Sequence, residues 1–489
     1  MASASPPFGA CRPPSLLLLP APPHSPGRRL LRAAYRAPLD AVLSRLTHDS
    51  IEQSDGQASV LVVALAGPIL IPKGARTRTD TACSVPQPHV VCWNRAQALL
   101  ANTYAIVASI CAERDIAAHL GGNEPGSIDV RIVLVHRDGH TSPLVLPGRA
   151  ASSFRSNTPG SSNGTIVLDL SSFADSVQPW ETIFHTGSEQ DSHMLAAYLA
   201  LAQKRHIILT SQIVSVGRAT SFLDSPTTVE TQGGMNDQAD TNRAREGVQS
   251  SDQPSELCHW DKTNEAEAFG NHQAICLGGT FDHLHLGHKL LLEAAALLLD
   301  VPGRDKRPCT LIIGISGDEL LAKKKYAEEL QPWEARARCV ITFLSAILGT
   351  CTTTVPSIRR PPALADGSRS SAAELRASFR EDTVLVRCVD IRDPFGPTIS
   401  EEHIDAIVVS GETRSGGTAI NEKRTARGWR PLAIYEIDVL DALDVKDDGS
   451  DGGEGDVTGM SSAEALAQKV AAKISSTEIR KRKAERQDR

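Results

Sequence analysis

No run of apolar residues in this 489-residue chain approaches the roughly 18 needed to cross a bilayer, so no transmembrane helix is expected. No Cys-x-x-Cys pair occurs among the ten cysteines, which are scattered along the chain. That spacing argues against a zinc site or a disulfide framework. Most of the cysteines, Cys276 and Cys388 among them, sit inside apolar runs and read as buried free thiols of a reducing compartment. Charge of one sign is also missing. Lys and Arg total 51 against 58 Asp and Glu, a formal net charge of -7, which gives no whole-chain signature for nucleic acid or a membrane surface. There is no G-x-x-x-x-G-K-[ST] phosphate loop and no evident internal repeat.

The length predicts two domains plus linkers, and an apolar fraction of 41% is enough to fill their cores. Residues 1–37 read as a disordered, Pro-rich lead-in. Five arginines and no acids in the first 36 residues resemble a mitochondrial transit peptide. Eight prolines between Pro6 and Pro26 forbid a continuous amphipathic helix there, and Leu16–Leu19 is too short for a signal-peptide core. A cytoplasmic protein is the expectation, with a mitochondrial one as the alternative.

Residues 38–217 read as a separate N-terminal α/β domain. Strands are predicted at Ala58–Gly67, Ser127–Asp138, Thr165–Leu170 and His206–Val214, and helices at Asn94–Ile116 and His193–Arg205. Residues 218–270 are poor in apolar side chains and read as a flexible linker. From 271 to 489 short continuous apolar strands alternate with helices: Ala274–Gly278, Thr310–Ser316, Val384–Asp390, Ala406–Gly411 and Leu432–Asp438. The helices between them are Gly287–Leu299, Trp333–Leu348 and Thr418–Arg427. That alternation predicts a doubly wound parallel sheet. Polar insertions near 357–382 and 441–458 are expected to be loops; Asp441 to Asp456 carries seven acids against one lysine.

Four segments of the C-terminal half carry chemistry. GGTFDHLHLGHK, Gly278–Lys289, lies where a strand passes into a helix. Gly278 and Gly279 let backbone approach a ligand. The helix tip offers unpaired N–H groups and positive potential to a phosphate. His285 and His288, three apart, share one side of that turn. In KISSTEIRKRK, Ser475 and Glu478 form an S-x-x-E capping box, so a helix should begin with Ser475, Ser476 and Thr477 lining its tip. SGETRSGG, Ser410–Gly417, follows a strand and presents Gly411 and Arg414 at the same sheet edge. Leu320–Pro332 contains Lys323, Lys324 and Lys325 near another strand end, where they could meet an anion.

Together these segments, with LQPWEAR after the lysines, resemble pantetheine-phosphate adenylyltransferases of the eukaryotic type, as in the adenylyltransferase module of coenzyme A synthase. The resemblance covers residues 271–489 and implies a Rossmann-like H-x-G-H nucleotidyltransferase fold. It implies transfer of AMP from ATP to 4′-phosphopantetheine, with Mg2+ accompanying ATP. It assigns His288 and His285 to the α-phosphate, and Gly278, Gly279, Gly411, Arg414, Ser475, Ser476 and Thr477 to ATP. Thr280, Phe281 and Lys324 are assigned to the substrate, with Lys323 and Lys325 leaving that register open. No protein metal ligand is implied. Absence of a phosphate loop argues against a fused dephospho-coenzyme A kinase. An H-x-G-H cytidylyltransferase is the rival enzyme.

The N-terminal half shows no catalytic constellation. His136, His185 and His193 are isolated and read as structural. A regulatory, docking or degenerate domain fits, including a scaffold for other coenzyme A biosynthetic enzymes.

Overall fold

The computed structural model describes residues 12–22, 27–53, 58–72, 89–120, 126–137, 163–176, 179–204, 206–217, 271–348, 358–359, 373–437 and 475–487. The expected linker at 218–270 and the acidic insertion at 441–458 lie outside them.

The N-terminal unit runs β1 (Ser15–Pro20), α1 (Arg28–Gln53), β2 (Ser59–Gly67), β3 (Leu70–Pro72), β4 (His89–Val91), α2 (Trp93–Glu113), β5 (Ile128–His136), β6 (Leu168–Asp169), α3 (Leu170–Ser176), β7 (Ile183–His185), α4 (Glu189–Ala202) and β8 (Ile213–Ser215). Six of these strands form one parallel sheet in the order β6-β5-β2-β1-β7-β8. Within residues 1–37, expected to be a disordered lead-in, Ser15–Pro20 form a strand and a helix begins at Arg28. Leu16 to Leu19 form an inner strand between β2 and β7, with all four leucines fully buried. The prolines that exclude a helix before residue 27 do not exclude a strand with proline at its end. α1 then starts inside the same region and carries Pro38 within it. Two further expectations shrink. Of Thr165–Leu170 only Leu168–Asp169 pair as strand, and of His206–Val214 only the end joins β8.

The C-terminal unit runs β9 (Ala274–Gly279), α5 (Leu286–Ala296), β10 (Cys309–Ser316), α6 (Asp318–Leu321), α7 (Trp333–Leu348), β11 (Glu374–Phe379), β12 (Val384–Ile391), β13 (Ala406–Ser410), α8 (Arg414–Ala426), β14 (Ala433–Ile437) and α9 (Ser476–Gln487). Its sheet is ordered β11-β12-β10-β9-β13-β14, parallel except for β11. β11 corrects the expectation of a plain loop across 357–382. Alternate residues Leu375, Ala377 and Phe379 bury one face, so the segment pairs antiparallel along the sheet edge. Side chains leave the inner strands alternately. Ile275, Leu277, Leu311 and Ile313 join the core beneath α5 and α7, while Cys276, Ile312 and Ile407 join Ile420 of α8 on the opposite face. Both faces are covered, as a doubly wound sheet requires.

The two units share a topology. Setting aside the outer strands β6 and β11, both sheets run 3-2-1-4-5: β5-β2-β1-β7-β8 and β12-β10-β9-β13-β14. They also share a core. One continuous apolar cluster extends from Leu16 through α2 to α5, α7 and the C-terminal sheet. Among the described residues no helix is long and apolar enough to cross a membrane. Cys92, Cys111, Cys276, Cys309 and Cys388 are buried free thiols, with Cys339 half-buried.

Candidate active site

β9 runs out into the loop Thr280–His285, and α5 begins at once. Gly279 has no room for a side chain: a Cβ there would meet the Phe281 ring at 3.0 Å. Phe281 and His283 both adopt positive φ, 51° and 45°, so the loop is a tight, non-repetitive fold held by its surroundings. His285 caps α5. Its Nδ1 accepts the His288 N–H at 3.4 Å, which leaves the ring proton on Nε2 in the neutral tautomer. The His285 and His288 rings stack with centroids 3.7 Å apart. Burial, then the His288 charge, pushes His285 well below the ordinary histidine range. Burial likewise lowers His288 to about 3; Lys324 works in the same direction and Asp282 against it. Both rings are therefore neutral hydrogen-bonding groups at physiological pH. His288 Nδ1 has no hydrogen-bond partner among the described residues.

Phe281, expected to touch substrate, is fully buried, and its ring centroid lies 5.2 Å from that of His288. It underpins the histidine. Of the three lysines, Lys324 is the one whose Nζ reaches the loop, 3.5 Å from Thr280 Oγ1, and all three are exposed. Lys324 and Thr280 therefore make one polar corner, open to solvent.

The helix tip of α9 meets the histidine loop through a residue that the motif reading passed over. Asp282 is fully buried. Its Oδ2 accepts Arg480 Nη1 at 2.6 Å, its Oδ1 accepts the Gln331 N–H at 3.0 Å, and its backbone oxygen accepts the Ser476 hydroxyl at 2.8 Å. Arg480 also donates to Lys325 O at 3.1 Å and Thr477 Oγ1 at 3.2 Å. Ser475 takes the N-cap position expected of it, its carbonyl accepting the Ile479 N–H at 3.1 Å. The tips of α5 and α9 thus converge on one loop, two positive helix ends with hydroxyls between them. A second buried guanidinium, Arg336, fixes the floor. It donates to Thr280 O at 2.6 Å, Ser316 O at 2.8 Å and Asp318 Oδ1 at 2.6 Å. Their traces in the sequence are the acid inside GGTFDHLHLGHK, the arginine one turn past Ser476, and the Gln331 and Arg336 of LQPWEAR.

Gly411 and Arg414 stand at the carboxyl end of β13, the neighbour of β9. Val408 pairs with Leu277, so Ser410 and Gly279 leave the sheet side by side. Arg414 is exposed and lies 3.3 Å from Glu436. No described hydrogen bond joins it to the histidine loop, so it borders the crevice without entering it. Among the described residues, the group of side chains with metal-ligand spacing is elsewhere, His48, Asp49 and Glu52 on α1.

A family described as cytidylyltransferase-like matches residues 276–482, and a domain of unknown function matches residues 1–222. An uncharacterized protein of Schizosaccharomyces pombe is 37% identical over 37% of this chain and 46% of its own length. The phosphopantetheine adenylyltransferase of Saccharomyces cerevisiae is 33% identical over 34% of this chain and 40% of its own. That of Methanopyrus kandleri is 32% identical over 33% of this chain and 76% of its own. The matched region spans less than half of either yeast protein but three quarters of the archaeal one.

Proposed function

The chain belongs, through its C-terminal half, to the phosphopantetheine adenylyltransferase family, and on that premise we propose that it transfers AMP from ATP to 4′-phosphopantetheine, as an enzyme of the eukaryotic type. The observation that carries this reading is the Asp282–Arg480 contact, which brings the Ser475–Thr477 helix tip against the H-x-G-H loop.

The nucleophile, a phosphate monoester oxygen, is already anionic. It forms a bond to the α-phosphorus of ATP as the bond from that phosphorus to the bridging oxygen breaks. The products are 3′-dephospho-coenzyme A and pyrophosphate, and no strong general base is needed. The protein supplies alignment and donors. His288, neutral and propped by Phe281 and His285, donates to the α-phosphate as its charge grows. The amides of the α5 tip and the hydroxyls of Ser475, Ser476 and Thr477 take the remaining ATP phosphates. Gly278, Gly279 and Gly411 leave room for the nucleotide, and Arg414 closes its outer side. Thr280 and Lys324 take the phosphate of phosphopantetheine. Mg2+ would ride on the triphosphate and ease pyrophosphate departure. Asp282 is fully buried, with its carboxylate oxygens turned to Arg480 and the Gln331 amide.

The deciding experiment is pyrophosphate release by the full-length protein with 4′-phosphopantetheine and either ATP or CTP. Release with ATP, and formation of dephospho-coenzyme A, is expected. Preference for CTP, or no release with either, refutes the reading.

A further inference from the structure

We propose that the N-terminal unit is a fixed wall of the active site, and that Asp129 is a positioning residue that acts through Lys289 to hold the first turn of α5. The inference rests on the reading above only in taking His288 as part of the reaction centre.

Lys289 follows His288 directly. In an isolated C-terminal unit it would be a cation on the outer face of α5. In the whole chain it is fully buried, and its Nζ lies 2.6 Å from Asp129 Oδ1 and 3.0 Å from Val130 O, both at the amino end of β5. Asp129 is in turn held by Arg131, at 2.7 Å. Burial would raise the Asp129 carboxyl; Arg131 and Lys289 overcome that and hold it at about 2. Burial lowers the Lys289 ammonium, against the pull of Asp129. The pair is desolvated and directional.

Three more contacts follow the same seam. Leu120 N–H donates to Leu284 O at 2.9 Å, one residue before the capping histidine. The Tyr104 hydroxyl donates to Glu293 at 3.1 Å, one turn beyond Lys289. Trp93 Nε1 donates to Ala294 O at 2.8 Å. α2, the segment after it and the start of β5 thus grip the loop before α5, its first turn and its far end. An independent docking module would touch the catalytic unit at its rim. This one places buried charge against the residue next to the key histidine. Donors displaced by about an ångström typically cost of order 10²-fold in rate, so this grip bears on turnover.

The test uses full-length protein carrying Asp129→Asn, Asp129→Glu or Tyr104→Phe. Turnover and KM are measured together with amide hydrogen exchange over residues 284–290. For Asp129→Asn, kcat is expected to fall about 10- to 10²-fold with KM nearly unchanged. Exchange should quicken over 284–290 while β10 and β12 stay protected, and Asp129→Glu should recover part of both. Tyr104→Phe leaves the charges in place and should give smaller changes of the same kind. It decides the matter if Asp129→Asn does not fold. Wild-type kcat and wild-type protection in a folded variant overturn the proposal, as does a rate loss shared equally by every amide of the domain. Should wild-type protein release no pyrophosphate, the substrate reading fails while the exchange measurement still decides this one.

Discussion

Replacing Arg480 by Met tests the convergence of the two helix tips most directly. Arg480 and Asp282 are, respectively, 1% and 0% exposed, so the substitution leaves a buried carboxylate facing the Gln331 amide and, at 3.8 Å, the His283 ring. Breaking such a pair costs ~3–5 kcal/mol. Lost with it are the bonds to Lys325 O and Thr477 Oγ1. α9 lies at the edge of the fold, so the cost falls on its docking before it falls on the whole domain. At ~1.4 kcal/mol per decade, the undocked population should rise by about 10²- to 10³-fold. Amide exchange over residues 476–487 is the assay, read beside pyrophosphate release. Exchange there should accelerate by at least about 10²-fold and turnover should fall with it, while the denaturation midpoint of the sheet changes little. Adding Asp282→Asn should restore part of the docking, because no uncompensated charge then remains. An Arg480→Met protein with a protected α9 and near-normal turnover refutes the reasoning.

His288→Ala should keep the fold and lower kcat by about 10²-fold or more, as loss of a transition-state donor does; steady-state kinetics checks it. Lys324→Ala should raise KM for phosphopantetheine about 10-fold or more while leaving KM for ATP alone, since a charged hydrogen bond is worth ~1.5–3 kcal/mol. Acid should destabilise the protein through His288. Its folded pKa of about 3 lies below the unfolded value of ~6.5, so protons favour the unfolded chain and stability falls as pH drops below that value. The loss should reach about 2 kcal/mol at pH 5, at roughly 1.4 kcal/mol per unit, and urea midpoints for wild type and His288→Asn would reveal it.

What the sequence disclosed follows from how local each feature is. The H-x-G-H loop is legible because its glycines, histidines and helix start are contiguous. Its companion, Asp282 with Arg480, joins residues 198 apart, and neither looks unusual alone. Lys289 was equally silent. Within its own helix it reads as a solvated lysine, and only the packing of a second unit turns it into a buried ion pair. The inner strands of the C-terminal sheet were plain, being continuous apolar runs. β1 is as apolar, yet four leucines among prolines do not declare a strand until β2 and β7 flank them. β11 was hidden by its alternation, polar every second residue, inside a stretch otherwise rich in Ser, Arg and Ala.

The place of β1 also bears on how the chain is made. Its two neighbours in the sheet are far apart along the chain. β2 reaches it early, but its other neighbour begins at Ile183. Until then a ribbon of leucines has one edge unsatisfied, which gives chaperones a reason to bind the nascent chain early. Any protease that trimmed the mature protein beyond Pro20 would cut the sheet in two, and with it the seam that grips α5.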